Sequence, residues 1–221
     1  MTRSLQCIGR VLCAPRAAFA AIREEPQWGW FFLLAVVASA LLLQLSTPFI
    51  EHAYGYASGT SASVSAAVSI SATLLIPPTL LLKWLFYSVP LFLLARPMAG
   101  GYFAFRQIYA AVAHAESVPV LANAANLFLL HARGVDAIAA PEDLTAVPGL
   151  GRIFQGYLDN PALISILDQF TVFQLWYVVL LTVGLAVTAR CSWWTALALA
   201  GGMWLLGAVL QAALGVLAGG A

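Results

Sequence analysis

The run "WGWFFLLAVVASALLLQLSTPFI" at residues 28–50 contains no charged side chain. As a helix rising about 1.5 Å per residue it extends roughly 35 Å, more than the ~30 Å hydrocarbon core of a bilayer. Composition points the same way. The 221 residues are 62% hydrophobic and 9% charged, whereas a soluble domain is about 45–50% apolar and about 25% charged. So few charges cannot cover a water-facing surface. The sequence therefore predicts an all-α, polytopic integral membrane protein whose first partner is the lipid bilayer.

Further apolar runs follow. Residues 66–95 are apolar except for Lys83, and Pro77, Pro78 and Pro90 predict kinks. This stretch reads either as one long broken helix or as a span ending near Leu82, with 84–95 interfacial or re-entrant. Either way the chain stays on the same side. Residues 107–130, 166–189 and about 195–217 complete five predicted spans. Between them lie a Gly/Ser-rich loop at 51–65, a basic turn at 96–106, a long loop at 131–165 and the turn "RCSWW" at 190–194. Asp136, Glu142, Asp143 and Asp159 outnumber Arg133 and Arg152 in the long loop. Its prolines and glycines, among them Gly149 and Gly151, predict short turns.

The segment before the first span has a different pattern. Leu5, Ile8, Leu12, Pro15, Phe19 and Ile22 recur at steps of three and four, and most of Arg3, Arg10, Arg16 and Arg23 fall elsewhere around the helix. This predicts an amphipathic arm over 1–27 lying in the membrane interface, with Pro15 starting a second short helix. Residues 28–221 form the predicted transmembrane domain. No small-residue cleavage site follows a short apolar region, so the run at Trp28 reads as a retained span. Cys7, Cys13 and Cys191 are odd in number and lack CxxC spacing, which supports neither a disulfide framework nor a zinc site.

Charge sets the predicted orientation. The arm carries four arginines, the 96–106 turn carries Arg96 and Arg106, and the 190 turn carries Arg190. The 51–65 loop and the C-terminal tail have no Lys or Arg. Five spans place every basic short segment on one side, with the N-terminus cytoplasmic and the C-terminus outside. An even count would put one basic turn on the wrong side. The formal net charge of +1 argues against nucleic-acid binding.

The sharpest chemical feature is "AHAESVPV" at 113–120, which puts His114, Glu116 and Ser117 inside the third span. Lys83 lies thirteen residues before Arg96, and Glu116 lies ten after Arg106. On a helical rise their depths are roughly 20 Å and 15 Å from the shared turn. Either charge alone at mid-membrane costs on the order of 2.5–3.5 kcal/mol. The expectation is an ion pair between adjacent antiparallel helices, with His114 or Ser117 adding hydrogen bonds. Pro119 should free a backbone carbonyl that Ser117 or a neighbour satisfies. The Lys83, His114, Glu116 and Ser117 cluster reads either as a structural pair or as a proton or ion relay; Lys83 snorkelling to the interface is a third reading.

Asn123, Asn126, Gln44, Gln174 and Gln211 predict hydrogen bonds between helices, or a substrate path. Small residues four apart, Ala198/Gly202 and Gly184/Thr188, favour close helix packing. His52 and His131 lack a third metal ligand at suitable spacing. "PGLGRIFQGY" at 148–157 has no GxxxxGK[ST] pattern and predicts turns with a short surface helix. Neither GxSxG nor HExxH occurs, and no catalytic residue or cofactor site is expected.

Three stretches together carry a family resemblance. They are "VLCAPRAAFAAIREEPQWGW" (11–30), "GGYFAFRQIYAAVAHAESVPVLANAAN" (100–126) and "ILDQFTVFQLWYVVLLTVGLAVTARCSWWTAL" (166–197), the last with Asp168, Phe170, Trp176 and Gly184 in order. The chain resembles the Yip domain family of five-span membrane proteins, and its bacterial branch most of all. The resemblance implies a cytoplasmic N-terminus and a bacterial inner-membrane location, but no catalytic residues. The eukaryotic branch is associated with vesicle trafficking and small GTPases, a role the short arm does not serve. The leading expectation is a non-enzymatic scaffold that organises the membrane or binds a membrane-protein partner or a second copy of itself. The alternative is a small transporter or ion conductor using Lys83, Glu116 and His114.

Overall fold

Gly29–Ser58 is a single helix of 30 residues, apolar on all sides. A helix that hides no polar face needs an apolar solvent. Its most apolar 18 residues are only 11% buried within the protein, and Leu33, Val37, Leu41 and Leu45 are exposed. The computed structural model describes residues 9–58, 66–98, 102–154, 156–157 and 160–219. Leu5, Ile8, Arg3 and Cys7 of the arm, residues 59–65 of the first loop, residues 99–101 of the basic turn, and Asp159 lie outside the described residues.

Helices are numbered α1 Pro15–Glu24, α2 Gly29–Ser58, α3 Ala66–Ala95, α4 Phe105–Ala115, α5 Ser117–Arg133, α6 Leu150–Phe154, α7 Pro161–Asp168, α8 Val172–Thr188 and α9 Trp193–Gly219. Residues 9–13 are also helical, and no strand occurs among the described residues. Gly29–Tyr54, Ser71–Met98 and Trp193–Gln211 are long and apolar enough to cross a membrane. The chain is thus an all-α, multi-pass membrane protein with at least three such helices.

The other two predicted spans take a different form. The third is divided at Glu116 into α4 and α5. Pro119 is the physical reason, because it has no N–H for the Ala115 carbonyl and its ring crowds the preceding turn. The fourth begins at Val172 rather than 166, and α8 has 17 residues. Thr171 caps its start, its Oγ1 accepting the Gln174 N–H at 3.2 Å, which leaves Pro161–Asp168 as a separate helix. The 66–95 stretch is one continuous helix through Pro77, Pro78 and Pro90.

The described residues fall into two compact units. The first comprises the described parts of 1–32, 83–119 and 148–221. Its central element is α8, on which Tyr177, Leu180, Leu181, Thr182, Val183, Gly184 and Leu185 are buried. Helices α1, α4 and α9 pack against it. Pro15 opens α1, where the absent N–H would be unsatisfied in any case. The apolar face of α1, with Ala18, Phe19 and Ile22, is buried. Burial of a side chain such as Phe19 contributes about 1.5–3 kcal/mol. Gly184 eases the close approach, because a Cβ there would lie 3.2 Å from Phe19 Cε1 and the ring would have to give by a few tenths of an ångström. Arg23 donates to Val187 O at 3.3 Å, and Gln107 donates to Arg23 O at 2.7 Å. Within the arm, α1 therefore docks on protein with the apolar face expected to meet lipid. At the far end of α8, Arg190 has φ 51°, a left-handed conformation that glycine adopts with less strain.

The second unit comprises the described parts of 33–82 and 120–147. Phe49, Ala53, Leu127, Leu130, Ile138 and Ala146 form its core. Gln44 Nε2 donates to Thr73 Oγ1 at 3.0 Å, joining α2 to α3. Asn126 organises the following loop. Its Oδ1 accepts the N–H groups of Ala146 at 2.6 Å and Val147 at 3.1 Å, and its Nδ2 donates to Leu144 O at 2.8 Å. A polar residue within an apolar helix is thus used to fix a loop.

Candidate functional site

The break between α4 and α5 leaves Glu116 outside both helices, in the first unit. Its N–H bonds back to Ala113 O at 3.1 Å and Val112 O at 3.3 Å. Its carboxylate reaches α3, where Lys83 Nζ lies 2.6 Å from Oε1. The two side chains differ in exposure: Glu116 is 4% exposed and Lys83 41%. The second carboxylate oxygen, Oε2, is buried without a hydrogen-bond partner among the described residues.

The remaining members of the predicted cluster lie nearby but bond elsewhere. His114 Nδ1 is 2.8 Å from Ala110 O. A carbonyl only accepts, so the proton is on Nδ1. The imidazole stacks on Phe31 with ring centroids 5.0 Å apart. Ser117 Oγ is buried and has no partner among the described residues. Neither side chain adds a hydrogen bond to the Lys83–Glu116 pair, and Ser117 Oγ does not serve the carbonyl that Pro119 frees. Trp84 and Ser88, one and five residues after Lys83 on α3, are fully buried, and Trp84 Nε1 and Ser88 Oγ also lack partners among the described residues.

Lys83 borders a cavity of about 120 Å³. Tyr87 and Lys83 line it from α3, Gln174 and Tyr177 from α8, and Trp204 and Gln211 from α9, with Gln169 just before α8. Tyr177 is 3% exposed, and its hydroxyl has no partner among the described residues. Trp204 Nε1 donates to Gln174 Oε1 at 3.3 Å. Indole N–H is only a donor, so the Gln174 amide is held with its oxygen toward the ring. Gly207 also lines the cavity, and a Cβ there would lie 2.6 Å from the Tyr87 hydroxyl.

Sequence reasoning singled out Gln174 and Gln211 but did not join them to Lys83, and it missed Tyr87, Gln169, Tyr177 and Trp204. A signal existed. Tyr87 is four residues after Lys83, Tyr177 three after Gln174, and Trp204, Gly207 and Gln211 recur at steps of three and four. Each set shares one helix face.

Among the described residues no group of three His, Cys, Asp or Glu side chains could hold a metal ion. No curated protein and no solved structure matches the chain. The family model for the Yip1 domain matches residues 9–214. That match spans both units and nearly the whole chain, which therefore belongs to the Yip1 domain family of non-enzymatic membrane proteins.

Proposed function

We propose that the chain is a five-span protein of the bacterial inner membrane, with its N-terminus cytoplasmic and its C-terminus outside. Its role is that of a scaffold that organises the membrane or binds a membrane-protein partner, including a second copy of itself. It has an amphipathic arm at 1–27 and a transmembrane domain at 28–221. For the span count, the 17 residues of α8 are within the ~17–25 that suffice to cross, and α4 with α5 supplies the remaining crossing. For the orientation, the arginines of the arm and of the 96–106 and 190 turns share one side under five spans.

The observation that carries the scaffold reading is the sealing of Glu116. A carboxylate that shuttles protons or ions needs water on one side, whereas this one is 4% exposed and bonded to Lys83. Such a pair locks α3 to the α4–α5 break. Cross-linking in native membranes tests the role: a reproducible partner or a self-adduct is expected, and recovery of neither overturns it. A second reading, a small transporter or ion conductor, is favoured by one observation, the 41% exposure of Lys83 beside a polar cavity. Proton or ion flux in proteoliposomes, lost in Glu116→Gln, would establish it, and no flux across varied gradients would dismiss it.

A further inference from the structure

The cavity beside Lys83 is unusual for its setting. A helix bundle in lipid gains nothing from a hollow lined by hydrogen-bonding groups, because each such group without a partner costs free energy. This hollow is lined by three amides, two phenols, an indole and an ammonium, from Gln169, Gln174, Gln211, Tyr87, Tyr177, Trp204 and Lys83. It is graded from floor to rim. Tyr177, Trp204 and Ala208 are buried, whereas Gln211 is exposed. The exposed part of Lys83 cannot face hydrocarbon cheaply, and the cavity is the polar space that it borders.

The walls specify a chemistry. Among the described residues the only charged group in the walls is Lys83, and Glu116 already neutralises it at 2.6 Å, so these walls carry no net charge. A charged occupant would lose its hydration without gaining a counter-ion. Amides and phenols both donate and accept, as hydroxyl groups do. The Gln174 amide is fixed through Trp204 Nε1 with its NH2 end left to donate, and the buried Tyr177 hydroxyl has no protein partner among the described residues. The aromatic floor suits C–H groups. A volume of about 120 Å³ holds about four waters, or one group of five or six non-hydrogen atoms.

We infer that this cavity is a binding site for a small uncharged polyol, a glycerol-like group held by the Gln169, Gln174 and Gln211 amides and the Tyr87 and Tyr177 hydroxyls over Trp204. The group comes either from a free polyol or from a lipid headgroup such as that of phosphatidylglycerol. This assignment goes beyond the scaffold reading and stands or falls separately from it.

Full-length protein in nanodiscs tests the assignment in two arms. In the first, native mass spectrometry compares phosphatidylglycerol with phosphatidic acid in a phosphatidylcholine background. The two lipids are both anionic and differ in the glycerol headgroup. In the second, saturation-transfer NMR detects free glycerol with phosphatidylcholine discs alone. Gln174→Leu removes the fixed amide, and Gln211→Leu alters only the exposed rim and so spares folding. A several-fold preference for phosphatidylglycerol that both variants abolish identifies the lipid source. A glycerol signal that both variants abolish identifies the free solute. Equal retention of the two lipids with no glycerol signal, or signals that the variants leave unchanged, overturns the proposal.

Discussion

Lys83 and Glu116 illustrate what one contact in an apolar protein can decide. Removing the lysine alone leaves a buried carboxylate without its counter-charge, whereas removing both charges leaves two neutral side chains in contact. Lys83→Met is therefore expected to destabilise the protein by about 2 kcal/mol, allowing for screening of the partly exposed lysine, and Lys83→Met/Glu116→Gln to recover most of that. Thermal unfolding in detergent measures both, and a double variant weaker than the single would contradict the pair's role. Gly207 offers a second test. The added methyl of Gly207→Ala meets the Tyr87 hydroxyl at 2.6 Å, and the next ring atom is at 3.6 Å. The expected cost is about 1–3 kcal/mol. Tyr87→Phe removes the colliding oxygen and should restore the melting temperature of the Gly207→Ala protein.

Single residues also set the limits of the helices. Restoring the N–H in Pro119→Ala should let the helix run on through Glu116, adding about 1 kcal/mol of local stability, with several-fold slower hydrogen exchange over 115–120. The docked arm has its own control built in. Gly184→Leu should push Phe19 off α8, and trypsin should then cut at Arg16 and Arg23 faster than in the wild type. Gly202→Leu is the matched comparison, because nothing lies within 4 Å of a Cβ there, and its digestion should be unchanged. These elements differ in how far the sequence discloses them. The approach of Lys83 to Glu116 can be counted, because both depths are measured from one turn on helices of fixed rise. The docking of α1 cannot, because an apolar face of Ala18, Phe19 and Ile22 satisfies lipid and protein equally well. The polar cavity is hidden for a related reason: its lining comes from α3, α8 and α9, and no local pattern says which faces of those helices meet.

For the molecule as a whole, the span count and the side of each terminus are one question. An alkaline phosphatase fused after Ala221 should be active and a green fluorescent protein there dark, with the reverse at the N-terminus. The opposite pattern at the C-terminus alone would require an even number of crossings. Long apolar runs made three of these helices legible from composition and length. The other two predicted spans were less so, because Pro119 divides one and Thr171 shortens the other, and both are local interruptions within an unchanged hydrophobic profile.

The hold of α1 on α8 also bears on how the protein is made. Arg23 and Val187, which it joins, are 164 residues apart. At about 5–20 residues per second, on the order of ten to thirty seconds of synthesis separate them. For that interval Phe19 and Ile22 lack the α8 surface that finally covers them, and α4, which also meets α1 through Gln107 and Arg23 O at 2.7 Å, is made about halfway through it. An amphipathic helix whose apolar face is left open can shelter at a membrane surface until its protein cover is made. The docking of α1 on α8 therefore cannot precede the synthesis of α8.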